Sequence, residues 1–137
     1  MESSAELADV IRGWFASVER ADGLWLDRHL SRSPSLRIVG TDPAEWLQGE
    51  SAVNLLKADL EVLGGKAKIR VNEFEAYREG SVGWGVARPT ITLPDGTQVS
   101  PRWSGVFHQE DGEWKALQVH ASIAISNEAA FGVEFPA

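Results

Sequence analysis

Two long β-forming runs in the second half of the chain constrain the fold more than any other feature of the sequence. They lie within 97–125 and meet at the turn sequence Glu110-Asp111-Gly112. Both runs are rich in β-branched and aromatic residues and are bounded by turn residues, which is the pattern of a β-hairpin. This pattern predicts a scaffold, and it identifies no reaction by itself.

The composition is that of one globular domain. With 137 residues, of which 43% are hydrophobic and 24% charged, the chain is long enough for one core and too short for two. We therefore expect a single domain over 1–137, with a loosely ordered tail over 127–137. No apolar run approaches the roughly 20 residues that span a bilayer. The acidic N-terminus lacks an apolar signal core, which predicts a cytoplasmic protein without a membrane partner.

The residue inventory excludes several kinds of site. The chain has no cysteine and only three histidines, so thiol chemistry is excluded and no metal is expected. A formal charge of −7 repels nucleic-acid phosphates. The sequence has no glycine-rich phosphate loop, dinucleotide fingerprint or GxSxG elbow, so no cofactor is expected. Six tryptophans suit either a core or the walls of an apolar ligand pocket.

Helical periodicity marks the first half of the chain. A capping box formed by Ser3 and Glu6, followed by apolar residues at helical spacing, predicts an amphipathic helix from about Ser4 to Glu19. A short second helix is predicted over 24–30. Apolar residues from Val53 to Leu63 mark one face of a third helix, which the following glycine pair terminates.

The segment between the second and third helices carries its own local signals. Residues 35–40 predict a short strand. Asp42 as N-cap, Pro43 at the first helical position and Glu45 after it predict that a turn of helix begins there.

After the third helix the period of the apolar residues changes to two. The alternation predicts strands from Lys66 to about Arg78 and from Ser81 to Leu93, ahead of the two runs described above. Helices followed by successive strands joined by tight turns indicate an α+β fold, with the N-terminal helices packed on one face of a curved antiparallel sheet.

Several local strings resemble a known family, and they cover nearly the whole chain in the right order. They are Ile38-Val39-Gly40-Thr41-Asp42-Pro43, Glu45-Trp46, Gly49, Val82-Gly83-Trp84, Leu93-Pro94-Asp95-Gly96, Glu110-Asp111-Gly112, Trp114-Lys115, His120 and Ser122. The chain resembles the SnoaL-like branch of the nuclear transport factor 2 (NTF2) superfamily. The resemblance implies a cone-shaped fold related to cystatin, a cavity between sheet and helices, and a homodimer formed through the outer face of the sheet.

The resemblance leaves the activity open. Relatives of this fold include polyketide cyclases, ketosteroid isomerases, dehydratases and epoxide hydrolases, and also non-catalytic binding and assembly domains. The fold alone therefore selects no reaction.

Strand alternation indicates which side chains face the cavity. A two-residue turn at Asp95-Gly96 places Arg88 opposite Trp103, whereas a three-residue turn places Arg88 opposite Arg102. Like charges on directly opposed residues are unfavourable, so we prefer the first pairing. It directs Arg88, Val86 and Trp84 inward together with Trp103 and Phe107.

The last hairpin also allows two arrangements. A three-residue loop at 110–112 places Leu117, Val119 and Ala121 on the concave face. A two-residue turn at Asp111-Gly112 instead places Gln118, His120 and Ser122 there. The first arrangement gives a coherent apolar face, so we prefer it. It directs His120 to the outer side of the sheet.

These considerations give a candidate site for a small, largely apolar molecule in a Trp-lined cavity. The predicted ligand-binding residues are Arg88, Trp84, Trp103, Phe107, Val119, Trp14 and Trp46. In this hypothesis Arg88 clamps a carboxylate or enolate oxygen. Asp42 and His120 are the acid/base candidates, although a helix cap explains the first and an interface histidine the second.

The predicted chemistry is that of an isomerase, cyclase, lyase or hydrolase. The alternative is a non-catalytic ligand-binding or dimerisation domain. The alternative stays open because the predicted inward set contains neither a carboxylate nor an imidazole.

Overall fold

The computed structural model of the protein describes residues 1–136. In chain order the elements are β1 (Glu2–Ser3), α1 (Ala5–Arg20), α2 (Leu24–His29), β2 (Arg37–Val39), β3 (Trp46–Gln48), α3 (Glu50–Leu63), β4 (Lys68–Glu79), β5 (Val82–Thr92), β6 (Gln98–Val99), β7 (Arg102–Glu110), β8 (Glu113–Ser122) and α4 (Asn127–Phe131). The predicted α+β class and the order of the long elements are confirmed. None of these helices is long and apolar enough to cross a membrane.

The eight strands form one curved, unclosed sheet. Its order is β1-β4-β5-β7-β8-β2-β3, and β6 pairs with β5 beside this path. Neighbouring strands are antiparallel except β2 and β8, which run parallel. The prediction of an antiparallel sheet therefore misses one pair, because this pair joins segments that are far apart in the chain and no local turn signals it.

The first helix lies on the inner face of the sheet. Its N-cap is Ser4, whose Oγ accepts a hydrogen bond of 3.1 Å from the backbone of Leu7. The predicted cap, Ser3, instead belongs to the edge strand β1. A Cβ atom on Gly85 would lie 2.3 Å from Cδ1 of Ile11. The missing side chain thus allows the apolar face of α1 to approach the sheet closely.

The predicted turn of helix at Asp42 is wrong, because the chain forms a β-hairpin there. The expected capping bonds do form: Asp42 accepts from the backbone of Ala44, and Glu45 accepts from the backbone of Asp42, both at 2.9 Å. The backbone N–H of Gly40 then donates to the carbonyl of Glu45 at 2.8 Å. Pairing of β2 with β3 extends the sheet from this turn and outweighs the helical signal.

The register between β5 and β7 differs by one residue from the preferred prediction. Val86 pairs with Ser104, and Ala87 pairs with Trp103. A one-residue shift exchanges the two faces of a strand, so the side chains of Trp84, Val86 and Arg88 lie on the outer face. The like-charge penalty did not decide the register, because Glu73 on β4 pairs with Arg88 from the other side.

The last hairpin reaches the predicted facing by another route. Its turn has two residues, Asp111 and Gly112, with φ angles of 52° and 80°. A β-bulge at Leu117 then shifts the pairing by one residue. As a result Val119 is buried on the inner face, and His120 lies on the outer face as predicted.

One hydrophobic core lies between the helices and the inner face of the sheet. Its buried residues include Leu7 and Ile11 of α1, Val53 of α3 and Phe107 of β7. The tail, predicted to be loosely ordered, contains the short helix α4 and is exposed. The last position of that predicted tail, residue 137, lies outside the described residues.

Candidate functional site

A cavity of about 190 Å³ lies between the helices and the inner face of the sheet. Its lining is almost entirely apolar and consists of Trp14, Phe15, Ser17, Val18, Leu26, Thr41, Leu56, Asp59, Leu60, Leu63, Ile69, Pro89, Ile91, Pro101, Trp103 and Ala121. We call it the cone cavity. Concave, apolar sites with a few polar groups are the usual form of small-molecule sites.

Aromatic side chains from α1 and β7 form one wall of the cone cavity. The ring centroid of Trp103 lies 5.7 Å from that of Trp14 and 5.5 Å from that of Phe15. Trp14 in turn contacts Trp25 edge to face at 5.3 Å. Such contacts add to the energy of area burial, so this wall is a fixed surface against which an apolar body can pack.

Among residues 1–136, Asp59 is the only titratable residue in the lining of the cone cavity, and it lies at the rim, where it remains exposed to solvent. Desolvation among apolar neighbours raises the pKa of its carboxyl, and the negative charge of Glu45 raises it further. A carboxyl with a raised pKa suits acid–base chemistry closer to neutral pH, and perturbed groups in clefts are candidates for function.

Sequence reasoning missed Asp59, although a signal was present. Ala52, Leu56, Asp59 and Leu63 follow one another at spacings of four, three and four residues, which is one face of a helix. A single carboxylate within an apolar stripe of this kind indicates either a strained core position or a site. The cone cavity beside Asp59 favours a site.

The indole of Trp103 supplies a second polar group. Its N–H is buried and finds no acceptor among residues 1–136. Unpaired buried donors are costly and therefore uncommon. The hydroxyl of Ser17 is already engaged, because it donates to the carbonyl of Trp14 at 2.7 Å. The polar side chains of the lining are therefore those of Asp59, Thr41 and Ser17, beside the indole of Trp103.

Two of the predicted ligand-binding residues, Trp14 and Trp103, come together in the cone cavity. Their contact with a ligand stays a prediction. Phe107 and Val119 face inward but are buried in the core, away from the cavity lining. Trp46 is exposed on β3 with the guanidinium of Arg37 over its ring.

The prediction that Arg88 and Trp84 face the cavity is wrong. The side chain of Arg88 is 67% exposed on the outer face and pairs with Glu73 at 3.4 Å. An ion pair as exposed as this one contributes little to the stability of the fold. Trp84 packs against Tyr77 on the same face, with ring centroids 5.0 Å apart. Arg88 therefore lies on the opposite side of the sheet from any ligand in the cone cavity.

The two predicted acid/base residues also lie outside the cone cavity. Asp42 is exposed in the β2–β3 hairpin, although its neighbour Thr41 reaches the lining. His120 lines a larger, open groove of about 690 Å³ on the outer face of the sheet, together with Arg88 and Arg102. We call this the outer groove. Its position makes it a surface feature distinct from the cone cavity.

A third polar cluster joins the end of α2 to β7. Nε2 of His108 lies 2.6 Å from the carboxylate of Glu110, and the buried Ser31 hydroxyl donates to the same carboxylate at 2.8 Å. The Ser31 hydrogen bond and then His108 lower the pKa of Glu110. The Glu110 carboxylate lies between the two other side chains, so the cluster ties the segment after α2 to the end of β7. Within the described residues no group of three metal-ligating side chains occurs.

The fold and the cone cavity define the class of protein. The chain aligns with an NTF2-like protein of unknown function from Pseudomonas putida at 13% identity and a TM-score of 0.77, over 97% of this chain and 94% of the other. A proposed ketosteroid isomerase from Shewanella frigidimarina aligns at 16% identity and a TM-score of 0.71, over 87% of this chain and 96% of the other. The association domain of Caenorhabditis elegans CaMKII aligns at 12% identity and a TM-score of 0.68, over 85% of this chain and 92% of the other. These similarities show a shared NTF2-like fold.

The family follows from the sequence itself. The profile of the SnoaL-like domain matches residues 7–126, which is most of the chain. The protein belongs to the SnoaL-like family, as the local strings predicted. No curated protein matches the sequence.

Proposed function

We propose that this protein binds a small, largely apolar molecule with one hydrogen-bond acceptor in the cone cavity. The observation that carries the proposal is an apolar cavity whose only titratable group, Asp59, has a raised pKa. The buried N–H of Trp103 is the donor for the acceptor atom of the ligand. A cytoplasmic location stays a prediction from the sequence.

The size of the cavity narrows the class of ligand. Pockets for drug-sized ligands measure roughly 300–1,000 Å³, whereas the cone cavity measures about 190 Å³. A molecule with one ring and one carbonyl group matches this volume better than a polycyclic ketone. The apolar lining favours a neutral ligand over an anion.

The chemistry that these groups support is proton transfer. Asp59 accepts a proton from the bound molecule or returns one to it, and Trp103 stabilises negative charge that develops on the acceptor oxygen. Isomerase, cyclase, lyase and hydrolase reactions all use such a step. The proposed ketosteroid isomerase from Shewanella frigidimarina shares the fold.

A thermal-shift screen against single-ring ketones, enones and acids tests the proposal. A ligand at 100 times its Kd stabilises the native state by about 2.7 kcal/mol, which raises the melting temperature measurably. We expect Trp103→Phe to reduce the shift, and Asp59→Asn to abolish any turnover of a bound compound. Glu61→Gln is the matched control, because it removes a carboxylate from the same helix outside the cavity. No shift with any neutral compound would contradict the proposal.

We also propose self-association through the outer face of the sheet. Val82, Val86 and Val106 are exposed there. The face carries acidic residues on β4 and arginines on β5 and β7, so a two-fold partner can match opposite charges. The non-catalytic alternative, an assembly domain, uses this same surface, and the CaMKII association domain shares the fold.

A further inference from the structure

The end of the chain exposes an unusual amount of apolar surface. Five large apolar side chains are between 49% and 67% exposed, namely Ile123, Ile125, Phe131, Val133 and Phe135. None of them belongs to the hydrophobic core. Scattered exposed apolar residues are ordinary, but a contiguous set marks an interaction site. We call residues 123–136 the C-terminal arm.

The C-terminal arm has internal order despite its exposure. Ser126 caps α4 by accepting a hydrogen bond of 3.1 Å from the backbone of Ala129. The rings of Phe131 and Phe135 stack with centroids 5.2 Å apart. A preformed aromatic pair loses little conformational entropy on binding and is therefore a suitable anchor.

The arm is continuous with the surface through which we propose that the protein self-associates. It leaves β8 directly after Ser122, and Ser122 lines the outer groove. The outer groove also contains the exposed side chain of Val86. The arm thus begins beside the apolar surface of the sheet.

Charge identifies the partner of the arm more closely. The arm carries Glu128 and Glu134 and no lysine or arginine. The outer groove contains Arg88, Arg102 and His120, and also Glu73 and Glu75 of β4. Arg88 already pairs with Glu73, whereas Arg102 makes no ion pair within residues 1–136. A carboxylate of the arm can therefore pair with Arg102 while the apolar side chains of the arm cover Val86. In the protomer the arm remains exposed, so it does not fill the groove of its own chain.

We propose that the C-terminal arm packs into the outer groove of a second copy of this chain. The inference rests on the proposed self-association and adds the segment that crosses between the copies. Four residues, 123–126, lie between β8 and α4, and an extended chain covers about 3.3 Å per residue. This segment carries α4 and the stacked Phe131–Phe135 pair away from the sheet and toward an adjoining protomer, with both left intact.

Site-specific crosslinking tests the inference, since the chain has no native cysteine. Chains carrying Val133→Cys, which leaves both phenylalanines of the arm in place, are mixed with chains carrying Val86→Cys and treated with a short bis-maleimide. We expect a crosslinked heterodimer from this mixture and none when Val62→Cys, exposed on α3, replaces Val86→Cys. Absence of the heterodimer would overturn the proposal. A chain that carries both cysteines is treated in the same way. A crosslink that forms only within single chains would also overturn the proposal, because the arm would then occupy the groove of its own chain.

Sedimentation velocity separates failure of the arm from failure of the dimer. We expect the double variant Phe131→Ser/Phe135→Ser to raise the dimer Kd at least about tenfold, as loss of interface anchors does. Leu24→Ser/Val62→Ser is the matched control and leaves the Kd unchanged. A wild-type protein that is monomeric at every concentration would refute both proposals. A dimer with the same Kd in the arm variant would refute the arm alone.

Discussion

A single carboxyl, that of Asp59, gives the cone cavity its chemical character. It lies in an apolar stripe of α3 at the rim of the cavity, and although the residue is exposed, partial desolvation by its apolar neighbours opposes ionisation. The sequence marks the stripe by its apolar members, which predict a core face and do not single out the charge among them. Local spacing correctly predicts that Trp14 lies on the apolar face of α1, and its contact with a ligand stays a prediction. Residue-scale prediction fails where a one-residue register decides, as for Arg88.

The raised pKa of Asp59 predicts a pH-dependent effect of Asp59→Asn on stability. The carboxyl of the unfolded chain ionises at its ordinary pKa of 3.8, whereas that of the folded protein ionises only at higher pH. The free energy of unfolding therefore falls as pH rises from about 3.8 through the pKa of the folded state. Asn carries no such penalty. We expect the melting temperature of Asp59→Asn to exceed that of wild type at about pH 7, and the difference to vanish at about pH 3.

Thermal unfolding followed by circular dichroism at both pH values measures this difference. Glu61→Gln is the control and should show no comparable pH dependence. A difference that is constant with pH, or larger in acid, would show that Asp59 is not held in a desolvated state.

Packing of α2 on α1 depends on one close contact. Nε1 of Trp25 donates to the carbonyl of Val10 at 2.8 Å. A Cβ atom on Gly13 would lie 2.6 Å from the indole of Trp25. The glycine in the middle of α1 thus leaves room for the indole to reach the helix backbone.

This contact predicts that Gly13→Ala destabilises the protein. Alanine is favoured over glycine inside a helix by about 1 kcal/mol, so propensity alone predicts a gain. Displacing the indole costs roughly 1–3 kcal/mol by overpacking, plus about 1 kcal/mol for the hydrogen bond. We expect a net loss of about 1–3 kcal/mol in urea denaturation, and a gain in stability would contradict this contact.

The link between α2 and β7 predicts a separate loss of stability in acid. Ser31 lowers the pKa of Glu110, so the stabilisation is present above the ordinary value of 4.5 and is lost as pH falls through the folded pKa. We expect Ser31→Ala to cost about 1 kcal/mol at about pH 7 and less in acid. Urea denaturation at the two pH values checks this, and an equal cost at both would exclude the carboxylate as the partner.

Element-scale patterns predicted the helices and the long strands but not every connection. The capping residues around Asp42 make their expected bonds, yet strand pairing decides the local structure. The bulge at Leu117 compensates for a turn one residue shorter than predicted. Both outcomes depend on tertiary pairing, and local sequence carries no signal for it.

The whole molecule is a cone whose two faces have separate proposed roles. The order of helices and strands predicted helices on one face of a curved sheet, the family resemblance implied the cone, and the family match confirms the class. The parallel β2–β8 pair and the assignment of side chains to the two faces required the three-dimensional structure. The inner face surrounds the cone cavity, and the outer face carries the outer groove.

The proposed self-association predicts that Val106→Asp converts a dimer to a monomer. Val106 is exposed on the outer face, so the charge costs little in the free protomer but is unfavourable in an apolar interface. Val62→Asp on α3 is the control. We expect light scattering with size-exclusion chromatography to show half the wild-type mass for Val106→Asp only. Unchanged mass would place any interface elsewhere.

The most direct test of the central claim is an NMR titration of the indole N–H signals with cyclohexenone, a one-ring neutral enone. The six tryptophans give resolvable indole signals, and Trp103→Phe identifies the signal of Trp103. We predict a saturable downfield shift of that signal, as its N–H acquires an acceptor, with smaller shifts for Trp14. If the Trp103 signal does not move while the enone is in large excess, the cone cavity does not bind a ligand of the proposed class.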